Sequence, residues 1–471
     1  MDEIKYVSTR GRAPHLNFEG VTLTGLASDG GLYVPATWPQ FSAADIADLA
    51  GLDYVETAVR VMMPFVAGSL TRDELRTLCH AAYGRFAHDA VTPLKQLGER
   101  QWLLELFHGP TLAFKDVALQ LLGQLFERFL SQRDDHLTIV GATSGDTGSA
   151  AIDAVAGREK IDIFMLHPAG RISDVQRRQM TTILSPNVHN IAIDGSFDDA
   201  QAMVKRLFAD GDFTSRFTLS AVNSINWARL MAQVVYYFYA AVRLGAPDRA
   251  VAFSVPTGNF GDVFAGYVAT KMGLPVAQLI VATNVNDILH RALSSGDYSA
   301  GLVTPTAAPS MDIQVSSNFE RLLFDLAGRD GAALAAMMAG FETTRAMTIP
   351  QDMIAGAQGL FTSARIDADG MTLALRRAWE GSGELLDPHT AIGYAAATAV
   401  DLPADIPVVT LATAHPAKFR DAVERATGNR PPMPARIGNL FDREERLAQL
   451  PGDYDAVRAY VAERATPTPR G

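Results

Sequence analysis

The sequence predicts an α/β fold in which parallel β-sheets are covered by helices, with an additional N-terminal domain. Three observations lead to this prediction. From about residue 136, apolar strand-like runs alternate with helix-like segments, a pattern typical of parallel sheets. The first 90 residues carry mainly helix start signals instead. The length of 471 residues exceeds that of a single core, so we expect two or three domains.

The predicted N-terminal domain spans residues 1–90 and is followed by a region at residues 91–471. Within this region we expect a smaller α/β domain, inserted at roughly residues 135–245. In the N-terminal domain, Ser42 can cap a helix that runs through Leu49. Thr71, with Glu74 three residues later, has the pattern of a capping box that opens a second helix.

Composition excludes several functional classes. The chain is 48% hydrophobic and 20% charged, and its net charge of -11 argues against a nucleic-acid-binding surface. A single cysteine, Cys79, excludes an intramolecular disulfide and fits a reducing compartment. The start lacks the pattern of a secretory signal, and the longest apolar helix candidate, residues 231–242, is too short to span a bilayer. We therefore expect a cytoplasmic protein that binds neither nucleic acid nor membrane.

The predicted elements of the second region follow one another in order. Two short strands, residues 91–97 and 101–107, meet at a glycine-containing turn and lead to a helix at residues 116–130. Further strands are predicted at residues 137–141, 161–166, 188–193, 250–255, 278–282 and 406–412, and further helices at 147–155, 197–208, 261–272 and from about 416. Ligands of parallel sheets bind beyond the carboxyl ends of the strands, so the turns after these strands are the candidate sites.

Lys115 lies between the strand at residues 101–107 and the helix at residues 116–130. It is therefore next to a helix N-terminus, which disfavours extra positive charge. An amine held there between Phe114 and Val117 would be desolvated and more easily deprotonated. A lysine that forms a Schiff base requires this property. The alternative interpretation is a surface lysine that pairs with Asp116 or Asp134.

Two glycine-rich turns suit anions. The turn at residues 141–148 offers hydroxyls and free N–H groups at a helix start, which suit a carboxylate or phosphate. The turn at residues 256–262 has glycines that allow a backbone nest for a phosphate, and it contains no lysine or arginine. For each turn, an ordinary tight turn without a ligand is an equal alternative. The spacing at residues 141–148 fits neither common nucleotide-binding glycine motif.

Two further places carry polar side chains. Thr413 follows the strand at residues 406–412, where a hydroxyl can face a ligand ring, although it can equally be an ordinary turn residue. Nearby His415, which precedes a proline, is interpreted as structural. Asn223, Ser224 and Arg229 enter a long apolar helix and can jointly hold an anion, while helix capping by residues 223–226 is the alternative.

One chemistry explains all of these features together. An imine-forming lysine, a backbone phosphate cup, a hydroxyl for a ring nitrogen and a separate anion pocket suit pyridoxal phosphate and an anionic amino acid. The sequence also resembles the threonine synthase family in its longer form, among the fold-type II pyridoxal-phosphate enzymes. The similarity runs nearly end to end, through residues 25–35, 114–116, 143–148, 223–229, 258–262 and 413–419.

This resemblance implies a function and a role for each candidate residue. Such an enzyme converts O-phospho-L-homoserine and water to L-threonine and phosphate, with residues 91–471 as the pyridoxal-phosphate-binding catalytic region. By similarity, Lys115 carries the cofactor as a Schiff base and Thr413 meets the ring nitrogen. The residues implied to bind the cofactor phosphate are Gly258, Asn259, Phe260 and Gly261, with Asp262 beside them. Those implied to bind the substrate carboxylate are Thr143, Ser144 and Thr147. Those implied to bind the substrate phosphate are Asn223, Ser224 and Arg229. No metal is expected, and the chain is expected to be a monomer or homodimer.

One position departs from the pattern of shorter relatives and other fold-type II enzymes. These proteins usually have Asn where this chain has Asp146. By similarity Asp146 lines the hydroxyl side of the cofactor, so any hydrogen bond to that hydroxyl involves a carboxylate. Two other functions remain open from the residues. One is another fold-type II lyase, such as a serine or threonine dehydratase, and the other is a non-catalytic relative that binds phosphorylated ligands.

Overall fold

The computed structural model describes residues 3–133, 135–170, 172–221 and 223–468. Its strands, in chain order, are β1 (Tyr6–Ser8), β2 (Tyr33–Pro35), β3 (Leu94–Gln96), β4 (Gln101–Glu105), β5 (Leu137–Ala142), β6 (Ile161–Pro168), β7 (Val188–Ile193), β8 (Leu219–Ser220), β9 (Val251–Pro256), β10 (Val276–Thr283), β11 (Asp297–Ser299), β12 (Ala346–Thr348), β13 (Phe361–Arg365), β14 (Val408–Ala412) and β15 (Ala448–Leu450).

The helices connect and cover these strands. In chain order they are α1 (Phe18–Thr24), α2 (Ala43–Ala47), α3 (Tyr54–Val66), α4 (Arg72–Tyr83), α5 (Lys115–Arg133), α6 (Asp146–Val155), α7 (Asp174–Thr181), α8 (Phe197–Ala209), α9 (Gly211–Thr214), α10 (Trp227–Arg243), α11 (Gly261–Lys271), α12 (Ile288–Ser295), α13 (Phe319–Leu326), α14 (Gly331–Thr344), α15 (Gln351–Gln358), α16 (Ala368–Ser382), α17 (Pro388–Ala399), α18 (Arg420–Thr427) and α19 (Tyr454–Arg464). Among the helices described, none combines the length and apolar character needed to cross a membrane.

The larger sheet has six strands in the order β13-β10-β9-β14-β4-β3. All of its neighbouring pairs are parallel except β3 and β4, the two strands predicted around the glycine-containing turn, which pair antiparallel. Because parallel strands end at the same edge, the turns after β4, β14 and β9 lie side by side. This arrangement brings together three of the segments that the sequence selected.

The smaller sheet has five strands, all parallel, in the order β15-β7-β6-β5-β8. Four of them come from residues 137–220, and the fifth, β15, comes from the C-terminal end of the chain. The turn that follows β5, at residues 143–148, leads into α6. The predicted parallel, helix-covered architecture is thus confirmed for both sheets.

A long buried helix, α10, forms the centre of the main core. Its residues from Trp227 to Val242 are all buried, and it packs against α3, α5 and α11. A helix that is apolar on every side needs such surroundings. The contact with α3 ties the N-terminal region to the same core, so the side chains of this region and of the sheets share one apolar cluster.

The predicted helix starts of the N-terminal region are confirmed. Ser42 and Thr71 cap α2 and α4, each as part of a capping box, the second with Glu74. Near the C-terminus, the helix predicted from about residue 416 is divided. A short 3₁₀ turn, Pro416–Lys418, precedes α18, because Phe419 between them departs from helical backbone angles, with φ -128° and ψ 40°.

Candidate active site

The segment that ends at Lys115 lies against the turn after β14. The N–H of Leu106 donates to the carbonyl oxygen of Ala412 at 3.0 Å, and the N–H of Phe114 donates to that of Thr413 at 2.9 Å. An isolated antiparallel bridge joins Ala113 to Ala414. These backbone contacts place Lys115 and the buried Thr413 next to each other at the strand-end edge of the larger sheet.

Lys115 is buried, with 8% of its surface exposed. Its Nζ lies 3.6 Å from Oδ2 of Asp146 and 4.7 Å from the ring centroid of Phe114. Burial lowers the pKa of Lys115; Asp146 opposes this effect, and the positive charges of Lys418 and Arg229 add to it. The surface-lysine interpretation is therefore wrong.

The carboxylate of Asp116 has other partners. It accepts hydrogen bonds from the N–H of Thr111 at 2.8 Å and from the Thr111 hydroxyl at 2.7 Å. The other partner considered for Lys115, Asp134, lies outside the described residues. Asp116 thus holds the turn that precedes Lys115, and a Cβ at Gly109 would come within 2.3 Å of the Cβ of Asp116.

Asp146 is an ion-pair centre. Its Oδ1 lies 2.7 Å from Nζ of Lys418 and accepts a hydrogen bond from Nε2 of Gln176 at 2.8 Å. Burial alone would raise the pKa of Asp146, but the charges of Lys418 and Lys115 outweigh it, so the pKa lies well below its usual range. The residue therefore stays ionised between two buried lysines. The sequence offered no signal for Lys418 beyond its place in a strand-end turn.

The turn at residues 143–148 combines capping with open hydrogen-bonding groups. Oγ1 of Thr143 accepts from the N–H of Gly145 at 3.0 Å and from that of Gly148 at 2.9 Å, so this hydroxyl closes the turn as the tight-turn alternative expects. The hydroxyl hydrogen of Thr143 is still available to donate. Ser144 is exposed and Thr147 is half-buried. All three residues lie at the N-terminal end of α6, next to Asp146.

The loop at residues 258–261 has the geometry of an anion cup. Phe260 adopts a left-handed conformation, φ 61°, and α11 then begins at Gly261 without a side-chain cap. The first N–H groups of a helix have no partner within it, so here they are available to a ligand. A Cβ at Gly258 would come 2.4 Å from the carbonyl oxygen of Ser310, which explains the glycine.

Asp262, in the first turn of α11, forms a buried cluster with two tyrosines. The hydroxyl groups of Tyr236 and Tyr237 both donate to its Oδ1, while Oδ2 has no partner among the described residues. Burial raises the pKa of Asp262 to about 7, although the tyrosine hydrogen bonds and Lys115 act in the opposite direction. A carboxyl that is partly neutral repels a phosphate in the adjacent loop less than an ionised one would.

A segment to which the sequence assigned no role, residues 310–320, supports this loop. The Ser316 hydroxyl donates to the carbonyl oxygen of Gly258 at 2.8 Å. Asn318 donates to the carbonyl oxygen of Asn259 from its backbone N–H at 3.0 Å and from its side chain at 2.9 Å. The hydroxyls of Ser317 and Ser224 lie 2.9 Å apart, which connects this segment to the predicted anion-binding residues at the entry to α10.

Arg229 is buried at the start of α10. Nη1 donates to the carbonyl oxygen of Asn223, whereas Nε has no partner among the described residues. Burial lowers the pKa of Arg229 to about 10, so the guanidinium remains charged at neutral pH. The helix cap is Asn226, which accepts from the N–H of Ala228 at 3.0 Å, so the capping alternative is correct for that residue.

The described residues offer no set of side chains that could together bind a metal ion. Over the residues that the structure describes, no group of three or more His, Cys, Asp or Glu is placed to hold a metal ion. His415, which follows Thr413 closely, uses Nδ1 to accept from the N–H of Ala417 at 3.1 Å. Burial lowers the pKa of His415 to about 4. It is a structural residue, as predicted.

Three protein-family descriptions match successive parts of the chain. "Threonine synthase N terminus" matches residues 5–83, "Pyridoxal-phosphate dependent enzyme" matches residues 87–414, and "Threonine synthase, C-terminal" matches residues 390–461. Together these matches cover the chain almost from end to end.

Individual relatives match over their full length. The threonine synthase of Pseudomonas aeruginosa is 56% identical over 461 residues, with 98% of each chain covered. A crystal structure of pyridoxal-phosphate-bound threonine synthase from Brucella melitensis superposes with a TM-score of 0.96 at 52% identity, covering 98% of this chain and 99% of that one. Threonine synthase from Escherichia coli superposes with a TM-score of 0.82 at 32% identity, covering 98% and 99%.

Proposed function

Because the chain belongs to the threonine synthase family of pyridoxal-phosphate-dependent enzymes, we propose that it converts O-phospho-L-homoserine and water to L-threonine and phosphate. The same matches confirm the predicted fold type and cofactor. The observation that carries the proposal is the position of Lys115. This buried amine lies where strand-end turns meet, with an uncapped helix start for one phosphate and a buried arginine for another.

The residues present fit pyridoxal phosphate. When bound, this cofactor supplies an aldehyde that bonds to amines and a conjugated ring that delocalises negative charge from the adjacent carbon. Lys115 would hold the aldehyde, and the uncapped backbone at residues 258–261 would hold the phosphate. Thr413 would meet the ring nitrogen, and Asp146 would line the side of the ring that carries the hydroxyl. The start of α11 without a side-chain cap supports this fit, since its first N–H groups are left for a ligand.

We assign the proton transfers to Lys115. The substrate must lose a proton at Cα and another at Cβ before phosphate leaves Cγ, and it must then gain a proton at Cγ. Burial and two neighbouring cations favour the neutral form of the Lys115 amine, which can accept these protons and return one. Water then adds its hydroxyl at Cβ and its proton at Cα, and the second proton that Lys115 accepted leaves with the phosphate, so the overall change is elimination followed by replacement.

Two polar groups would hold the ends of the substrate. Arg229, whose buried Nε has no partner among the described residues, would bind the substrate phosphate together with Asn223 and Ser224. Thr143, Ser144 and Thr147, at the start of α6, would bind the substrate carboxylate. A phosphate at Arg229 would also accept a hydrogen bond from this buried N–H. Leaving a buried donor without a hydrogen bond costs about 1–3 kcal/mol or more.

The decisive experiment is incubation of the enzyme, loaded with pyridoxal phosphate, with O-phospho-L-homoserine. We expect L-threonine and phosphate in equal amounts. A 2-oxo acid would indicate a dehydratase, and no product from a protein that binds the substrate would indicate a non-catalytic binding protein. The Arg229→Ala variant should lose most of the activity. Arg243→Ala, at the exposed end of the same helix, is the matched control and should keep its activity.

We also propose that the enzyme acts in the cytoplasm as a monomer or homodimer, without a nucleic-acid partner. The single cysteine supports a reducing compartment, because Cys79 is buried in the core and has no second cysteine with which to pair. The net charge of -11 supports the absence of a nucleic-acid partner. Light scattering of the purified chain measures the oligomeric state directly.

A further inference from the structure

A second lysine in the site has no side-chain surface open to solvent. Lys418 follows β14 in the 3₁₀ turn Pro416–Lys418, and its side chain is 0% exposed. Its Nζ lies 2.7 Å from Oδ1 of Asp146 and donates to the carbonyl oxygen of Thr111 at 2.9 Å. Lysines are almost never fully buried unless they are paired, so this arrangement calls for a specific explanation.

The two oxygens of Asp146 have different partners. Oδ1 is held by Lys418 and by Gln176, whose Nε2 donates at 2.8 Å. Oδ2 lies 3.6 Å from Nζ of Lys115. The carboxylate is therefore fixed from one side, and its second oxygen remains directed at the reactive lysine.

We propose that Lys418 is a positioning residue for the reaction: it holds Asp146 by one oxygen, is tied to the segment that precedes Lys115, and places a positive charge that offsets the Asp146 carboxylate beside Lys115. This inference rests on the proposed roles of Lys115 and Asp146. The tie to that segment is the hydrogen bond to Thr111, four residues before Lys115. Lys418 thus joins the turn after β14, the turn after β5 and the segment after β4 at one point.

The charge of Lys418 has a second consequence. Four charged or titratable groups act on Lys115 in the structure: Asp146 favours its protonated form, Lys418 and Arg229 disfavour it, and the carboxyl of Asp262 also interacts with it. With Lys418 removed, the negative charge of Asp146 would act on Lys115 alone. The amine would then hold its proton more strongly, and less of it would be neutral at a given pH.

A neutral donor would suffice if Lys418 served only to hold the backbone. Nε2 of Gln179, from α7, already donates to the same Thr111 carbonyl oxygen at 3.0 Å. Gln176, one turn earlier in that helix, already donates to Asp146. Both contacts of Lys418 are therefore duplicated by amides, and what the lysine adds is a positive charge beside Lys115.

The test measures the uptake of pyridoxal phosphate by the full-length chain after the cofactor has been removed. Imine formation requires the neutral amine, so the uptake rate, followed by visible absorbance at a series of pH values, has a midpoint set by Lys115. We expect Lys418→Met to raise this midpoint by about one pH unit. Lys418→Arg keeps the charge and should keep the midpoint. Gln179→Leu removes the other donor to Thr111 without changing charge, and should also keep it.

The proposal is overturned if Lys418→Met has the midpoint of the unmodified chain, or if Gln179→Leu shifts it equally. Should Lys418→Met fail to fold, the double variant Asp146→Asn/Lys418→Met removes both charges together. Its midpoint should lie above that of Asp146→Asn alone, and equal midpoints would refute the role of the charge. Because uptake uses the cofactor without substrate, this result is independent of whether the enzyme forms threonine.

Discussion

The requirement for glycine at position 258 can be tested by the smallest change, Gly258→Ala. The added Cβ would lie 2.4 Å from the carbonyl oxygen of Ser310, about 1 Å closer than an ordinary contact, and both partners are backbone. Either the loop at residues 258–261 or the Ser310 segment must therefore move. Such overpacking costs about 1–3 kcal/mol, which exceeds the roughly 0.4–1 kcal/mol that alanine gains by restricting the unfolded chain.

If this cost falls on the conformation that binds the cofactor, the Kd for pyridoxal phosphate should rise about fivefold to somewhat over a hundredfold. The assay is titration of the cofactor-free, full-length chain with pyridoxal phosphate, followed by visible absorbance. Gly340→Ala in α14 is the matched control, because the added Cβ there meets nothing within 4 Å. A Gly258→Ala chain with an unchanged Kd would refute the argument that the cup depends on this close approach.

Three further predictions concern the groups around this loop. The pKa of Asp262 in the folded chain is about 7, above its ordinary value of 3.8, so its contribution to stability is lost as pH rises between about 4 and 7. Over this range the free energy of unfolding of Asp262→Asn, measured by denaturant titration, should rise relative to that of the unmodified chain by up to about 1.4 kcal/mol per pH unit. Parallel pH dependences of the two chains would contradict the assignment. Ser316→Ala removes one hydrogen bond to Gly258 and should weaken cofactor binding by no more than about tenfold in the same titration, so complete loss of binding would show a larger role. Arg321→Met leaves buried carbonyl oxygens without a donor and should lower the free energy of unfolding by about 3 kcal/mol or more; a thermal midpoint within a degree of the unmodified chain would contradict this.

The fold class could be predicted because the relevant information is local. Strand runs such as residues 250–255 and 278–282 are mostly apolar and are separated by a helix-like segment, and the structure places β9 and β10 within a few residues of them. The order of strands is not local. β4 and β14 are neighbours although some 300 residues separate them, and β15 joins the smaller sheet from the far end of the chain. Such pairings depend on packing between distant segments, which periodicity does not record.

The candidate site could be predicted where its residues directly follow strands, but not where they depend on distant contacts. Lys115, Thr413 and the loop at residues 258–262 stood out because they follow strands, and strand ends of a parallel sheet converge. Lys418 and Asn318 could not be selected from the sequence. A lysine or an asparagine in a turn is usually solvated, and nothing in the adjacent sequence shows that either side chain is buried. Their roles depend on contacts with Asp146 and Asn259, which lie far away in the chain.

The N-terminal region contributes to the site through Arg321. This fully buried guanidinium donates to the carbonyl oxygen of Tyr33 in β2 and to that of Ile225, just before α10, and also contacts the side chain of Asn318. Its neighbour Glu320 accepts from Thr9 at 2.7 Å. One residue thus joins β2, the entry to the helix that carries Arg229 and the segment that supports the loop at residues 258–261. Without the N-terminal strands, a buried charge would lose part of its hydrogen bonding, so we expect this region to be part of the scaffold that positions the two proposed phosphate sites.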